Sequence, residues 1–262
     1  MVYQFFLHAG ILPYGSFIKE ETEQVSRENI GSVLVHFISF SLHLLFRMRL
    51  ARFTEFSKKI VCVGRNYAEH AKEMGSALPK KPLIFLKPSK SIGDCPNKFC
   101  VLAPKGCNEL HHEVELGVVI GRKGVCISES EANDFVGGYV IALDMTARDF
   151  QTEAKNKGEP WSIAKGFDTS CPVGSFIPKE SVSNVDNLNI WCKVNGVMRQ
   201  NGNTKDMIFK IPTLISFISQ YFTLESGDLI LTGTPSNVGP VKSGDSIEIG
   251  IDEISKASFT LE

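Results

Sequence analysis

The chain is 262 residues long, 43% hydrophobic and 22% charged, and its 28 basic and 29 acidic side chains give a formal charge of -1. That size and balance fit a globular protein with a sizeable core, and no long basic stripe is present, which argues against a nucleic-acid partner. The seven cysteines, at 62, 95, 100, 107, 126, 171 and 192, are an odd number with no CxxC pair, which suggests reduced thiols in an intracellular compartment.

Residues 1–47 differ in texture from the rest of the chain. The run "SVLVHFISFSLHLLF" (32–46) is apolar but shorter than the roughly 20 residues of a membrane span and holds two histidines, so no membrane association is expected. It also comes after the acidic "KEETEQVSREN", which is the wrong flank for a secretory signal. From Met48, "MRLARFTEFSKK" is basic with one acid and resembles a weak mitochondrial leader. Residues 1–47 are therefore expected to be an extension outside the catalytic fold, as a misassigned start would leave, with a helix packed on the domain as the alternative. The domain itself is expected over 48–262.

From Lys58 onward, "KIVCVG", "PLIFLKP", "HHEVELGVVIG" and "GGYVIALD" read as short strands between turn residues. "LNIWCKVNGVMRQNG" reads as a hairpin turning at Asn195 and Gly196, and "GDLILTGTP" and "GDSIEIGI" are further strands. Three helices are expected. In "NYAEHAKEMG", Asn66 is the candidate N-cap and Gly75 the stop. "ARDFQTEAKNKG" is polar on most faces. In "IPTLISFISQYF", Pro212 fits the first turn and Leu214, Ile215, Ile218, Tyr221 and Phe222 form an apolar stripe. Strands dominate without the regular alternation of a doubly wound sheet, so the fold class is α+β, mainly β.

The strand at 111–121 carries the chemistry. Val114, Leu116, Val118 and Ile120 fall on one parity, and Glu113 and Glu115 on the other with Gly117 and Gly121. Two like charges on one face repel unless a cation lies between them or one takes up a proton. The two glycines open room for a ligand or another backbone on that face. A third acid, Asp144, ends the apolar run "YVIAL". Three oxygen donors without a thiolate favour magnesium or manganese. Lys87, Arg148 and Lys165 could balance the acids and neutralise an anionic substrate, while His70 and Glu73, three apart on the short helix, could form a base and its orienting carboxylate. A zinc site at Cys95, Cys100 and Cys107 with His111 or His112 is a weaker reading, because the spacings fit no common pattern.

These motifs occur in the order seen in the fumarylacetoacetate hydrolase family. "VCVGRNYAEHAKEMG", "PLIFLKPS", "LHHEVELGVVIG", "GGYVIALDMTARDFQ", "WSIAKGFDTSCPVG", "KVNGVMRQ" and "LILTGTPSNVGPV" carry the resemblance over about residues 58 to 260, closest to the mitochondrial acylpyruvase and oxaloacetate-handling branch. It implies a mixed β-sandwich roll with a few short helices, usually dimeric, so a homodimer is expected, in the mitochondrion with the cytosol as a second location. It places a magnesium or manganese triad on Glu113, Glu115 and Asp144, a catalytic dyad on His70 and Glu73, and an oxyanion-stabilising lysine on Lys165. Arg65, Lys87, Arg148, Gln151 and Thr234 match positions near the substrate. The small-molecule substrate implied is a 2-oxo acid with a second carbonyl or carboxylate, activated toward its enolate. Acylpyruvate hydrolysis is the leading expectation, because it alone requires the full dyad. Oxaloacetate tautomerisation or decarboxylation is the close alternative, and a non-catalytic protein that binds a metal-chelated dicarboxylate is a rival of another class.

Overall fold

The computed structural model describes residues 48–73, 75, 77–92 and 100–262, together with positions 38, 41 and 45. The expected extension 1–47 and the apolar run 32–46 lie almost wholly outside the described residues, as does Cys95. Among the described residues, no helix is long and apolar enough to cross a membrane.

In chain order the elements are β1 (Lys59–Gly64), α1 (Ala68–Glu73), β2 (Leu83–Pro88), β3 (Cys100–Val101), β4 (Leu110–His112), β5 (Val114–Ile120), β6 (Val136–Leu143) and β7 (Thr146–Ala147). Then come α2 (Arg148–Lys157), α3 (Ser162–Gly166), β8 (Ile177–Pro178), β9 (Asn189–Val194), β10 (Val197–Asn203) and α4 (Ile211–Ser219). The chain closes with β11 (Leu229–Leu231), β12 (Gly239–Val241), β13 (Ser246–Ile251) and β14 (Ser255–Leu261). A six-stranded sheet has the order β2-β1-β11-β5-β6-β8, and a five-stranded sheet the order β10-β9-β13-β14-β3. A small sheet, β12-β4-β7, adjoins them. Among the described residues, only β1 with β11 and β14 with β3 run parallel. This is the α+β, mainly β architecture that the strand-rich sequence implies.

The period of two in β5 decides what lies on each side of the large sheet. Val114, Leu116, Val118 and Ile120 face the main core, where they join Ile190, Cys192 and Val194 of β9 and Ile247, Ile249 and Ile251 of β13. The opposite parity is not solvated. Val119 packs with Val140, Ala142, Leu229 and Leu231 in a second core, to which Leu50 and Phe53 contribute. The basic stretch from Met48 thus supplies core side chains, each stabilising the fold by about 1.5–3 kcal/mol when fully buried.

Several local expectations are corrected here. Gly117 does not open a ligand space, because a Cβ there would come within 2.7 Å of Val140 and 2.9 Å of Leu229. Gly121 admits the backbone of Gly137, 3.0 Å from where a Cβ would sit. Asn66 is not a helix cap: its side chain donates to the Phe209 and Thr232 carbonyls and accepts from the Phe209 amide, tying three segments together. Tyr221 is exposed, because α4 has ended before it. Cys62, Cys107, Cys126, Cys171 and Cys192 are free thiols, whereas Cys100 is disulfide-bonded. The expectation of reduced thiols fails at Cys100, and a sulfur held in a disulfide is lost to the zinc reading. The hairpin turns where its sequence demands, with Asn195 at φ 51° and Gly196 at φ 76°, as a two-residue turn between right-twisted strands requires.

Candidate metal centre and active site

Strand register brings the three acids together. β5 and β6 are antiparallel with Val114 opposite Leu143 and Glu115 opposite Ala142, so Glu113 and Asp144 meet just beyond the paired residues. The Asp144 amide donates to the Glu113 carbonyl at 2.8 Å, which fixes that junction. One carboxylate oxygen from each of Glu113, Glu115 and Asp144 lies within 4.8 Å of the others, and all three side chains are buried.

The like charges are held by both means open to them. The Lys165 ammonium, on α3, donates to Asp144 Oδ2 at 2.6 Å, Thr146 Oγ1 at 2.6 Å and Glu113 Oε2 at 3.0 Å, which uses all three of its protons. Glu113 also pairs with the Arg148 guanidinium. Burial raises the Glu113 pKa, but Lys165 and Arg148 outweigh it and hold the carboxyl well below its ordinary range. Burial, then the charges of Asp144 and Glu113, push Glu115 well above it. Burial would depress Lys165, yet Asp144 and Glu113 overcome it and the ammonium is stabilised.

Glu115 accepts the Gly233 amide at 2.6 Å. Gly233, in the "TGTP" turn, has φ 96°, and a Cβ on it would lie 2.7 Å from Asn66, so only glycine can bring its N–H so close. Lys87 lies behind the triad rather than on the cavity wall. Its protons go to the carbonyls of Met145, Lys165 and Ser170. Asp144 Oδ1, 2.8 Å from the Lys87 nitrogen, sits off those directions and is left buried without a hydrogen bond. Three buried carboxylates with one oxygen each within 4.8 Å of the others make an all-oxygen cluster that fits a hard divalent cation, for which Glu113, Glu115 and Asp144 are the available ligands.

Around the triad a partly open cavity is lined by Arg65, His70, Arg148, Gln151, Lys165 and Thr234 among the expected residues. His70 is buried and its Nδ1 lies 3.1 Å from Glu73, whose carboxylate also accepts the Asn237 amide. Arg148 is largely committed: it reaches Glu113, Gln151 at 2.7 Å and His111 at 3.3 Å. The Thr234 hydroxyl donates to the Val114 carbonyl and accepts from Gln200, both at 2.8 Å, so it braces the wall and has no proton left for a substrate.

Sequence reasoning missed several contributors. Thr146 completes the Lys165 cradle, and Leu83, Phe85, Trp161 and Lys155 line the cavity. The clue for Lys155 was present, since Arg148, Gln151 and Lys155 share one face of α2 at helical spacing. Gln200, wholly buried, was also missed: it accepts from the Val114 amide and His112 Nδ1 and donates to Thr234 and the Pro235 carbonyl. No local pattern marks a glutamine that reaches across two sheets.

The model of the family described as "Fumarylacetoacetate (FAA) hydrolase C-terminal" matches residues 59–262. The chain belongs to the fumarylacetoacetate hydrolase family. It is 54% identical over 213 residues to the mitochondrial oxaloacetate tautomerase FAHD1 of Mus musculus, covering 81% of this chain and 96% of that protein. It is 53% identical over 203 residues to the mitochondrial oxaloacetate decarboxylase of Dictyostelium discoideum, covering 76% and 91% of the two chains. Among solved structures, the fumarylpyruvate hydrolase of Pseudomonas aeruginosa in complex with Mn2+ and pyruvate superposes with a TM-score of 0.74 at 35% identity, covering 78% of this chain and 89% of that one. The fold of this family member is thus the one the resemblance implied, and its mitochondrial relatives agree with the expected location. The oxaloacetate tautomerase and decarboxylase are more than half identical to it and the fumarylpyruvate hydrolase 35%, so the comparisons favour the alternative expectation over the leading one.

Proposed function

We propose that this chain is a divalent-metal-dependent oxaloacetate keto–enol tautomerase, with oxaloacetate decarboxylation as a second outcome at the same site. The observation that carries the reading is an excess of positive charge: Arg65, Arg148, Lys155 and Lys165 line the cavity against the three carboxylates of the triad. A divalent ion adds to that excess, and a doubly charged oxo acid balances it better than a singly charged acylpyruvate such as acetylpyruvate. Near-full-length similarity to oxaloacetate enzymes supports the same choice.

Magnesium or manganese on Glu113, Glu115 and Asp144 would supply Lewis acidity toward the vicinal oxygens of a 2-oxo acid. The chain's own residues do the rest. A neutral His70 that donates from Nδ1 to Glu73 keeps its lone pair on Nε2, free to take the proton from C3 that ends on the 2-oxo oxygen. Glu73, anchored by the Asn237 amide, holds that tautomer and ring orientation. Lys165 supplies positive charge beside the reacting oxygens. Phe85 and Trp161, in edge contact at 5.9 Å, form an apolar wall with Leu83 that keeps water from the reacting carbon.

The test follows decay of the oxaloacetate enol by ultraviolet absorbance with added magnesium or manganese, beside acetylpyruvate and fumarylpyruvate cleavage. His70→Ala is expected to lower tautomerisation by roughly 10²–10⁴-fold. An unchanged rate in that variant, or an acylpyruvate turned over with higher kcat/KM than oxaloacetate, would overturn the reading. Multiple turnovers by purified protein exclude the non-catalytic binding role.

A further inference from the structure

The cations of the cavity are not equally engaged. Lys165 spends its three protons on Asp144, Thr146 and Glu113, and Arg148 is held by Glu113, Gln151 and His111. Arg65 and Lys155 line the same cavity, and neither side chain makes a hydrogen bond or a salt bridge to any described residue. Partial burial, then the charges of Arg148 and Arg65, lower the Lys155 pKa.

Each has a feature that holds it in place without an acid. The Lys155 ammonium lies 5.3 Å over the ring of Trp161, itself a wall of the cavity, a contact that orients a cation and leaves its protons free. Arg65 comes directly after the last residue of β1 with φ 59°, a backbone conformation unfavourable for any residue with a Cβ, at the edge of the cavity. Two cations on the wall of one cavity with Arg148, neither side chain in an ion pair with a described acid, leave a gap in charge that an anionic group fills.

We infer that Lys155 and Arg65 form a subsite for the second carboxylate of the substrate, the one remote from the metal ligands, and that this subsite selects dicarboxylic over monocarboxylic 2-oxo acids. The inference rests on the oxaloacetate reading for the identity of that carboxylate. The division of labour comes from what each side chain has left to give: the triad and Lys165 serve the 2-oxo end, and the free ammonium and guanidinium serve the far end. In tautomerisation Lys155 touches a carboxylate that does not react, so its contribution to that reaction appears in binding and KM more than in kcat.

Calorimetry on the manganese-loaded full chain tests this with two ligands of equal chain length, oxaloacetate and 2-oxobutanoate, which differ in the terminal carboxylate. Lys155→Met is expected to weaken oxaloacetate by roughly 10- to 100-fold, the worth of a charged hydrogen bond, and to leave 2-oxobutanoate within about twofold. Lys155→Arg restores most of the loss, and Arg65→Met produces a loss of the same selectivity. Thermal unfolding of Lys155→Met should match the parent, because no acid loses its partner. Equal weakening of both ligands, or of neither, overturns the subsite. Oxaloacetate bound in a Lys155-dependent way but never turned over sinks the tautomerase reading and keeps the subsite. Oxaloacetate turned over with unchanged KM by Lys155→Met does the reverse.

Discussion

The two large sheets are built from similar strands and do different work. In the five-stranded sheet, β9, β13 and β14 alternate between one buried face and one mixed face, and none of its residues lines the cavity. In the six-stranded sheet, β5 is buried on both faces along its whole length, and the acids stand where its pairing with β6 runs out. The difference teaches where a fold can place buried charge. A strand with a solvated face disperses its charges into water, whereas a strand enclosed on both sides forces them to find partners. Here the partners are Lys165, Arg148 and the Gly233 amide.

The contrast breaks most severely at Asp144. Asp144→Asn keeps the shape but removes a ligand and leaves Lys165 and Lys87 facing a neutral amide, so activity should fall by at least about 1,000-fold and manganese affinity by at least about 100-fold, beyond the 10–100-fold typical of outer-shell changes. Isothermal titration with manganese and the enol assay read both, and retained metal binding would remove Asp144 from the ligand set. Next is Gln200, the point at which the five-stranded sheet reaches the site. Gln200→Leu orphans the Val114 amide and the Pro235 carbonyl and releases Thr234, which should lower stability by about 2–4 kcal/mol in urea denaturation and lower kcat more than it raises KM. A third test sharpens what holds the acids apart from any metal. Lys165→Met takes away the ammonium that an incoming ion must displace, so manganese should bind roughly 10- to 100-fold more tightly while turnover falls. Weaker manganese binding would mean that Lys165 orders the ligands rather than competing with the ion.

The hairpin at Asn195 and Gly196, the alternating strands and α4 are written in short-range patterns, so they can be read from neighbouring residues. Glu113, Glu115 and Asp144 were readable as a set only because two carboxylates sit on one parity of a strand and a third ends the next apolar run. Their convergence depends on the Val114–Leu143 register, which no local signal states. Gly117 misled for a related reason: space on a strand face looks the same in sequence whether a ligand or Val140 fills it. Asn66 looked like a cap because caps are local, and its true partners lie more than a hundred residues away. Gln200 escaped notice because an amide gains meaning only from what surrounds it in space.

The smallest effect expected lies at the far turn of the five-stranded sheet. Asp245 accepts Asn195 Nδ2 at 2.8 Å and the Lys242 amide at 2.9 Å, so it ties the β9–β10 turn to the approach to β13. The bond from Asn195, then that from the Lys242 amide, holds its pKa below the unfolded value of 3.8. A carboxyl depressed in the folded state binds its proton more weakly there than in the unfolded chain. Its stabilisation is therefore present above the unfolded value and is lost as pH falls through the folded one. Asp245→Ala should cost roughly 1 kcal/mol in urea denaturation at neutral pH, and the difference from the parent should shrink below pH 3.8. Metal affinity and turnover should not move, because neither the turn nor its strands line the cavity. A change in either would show that this turn is coupled to the site.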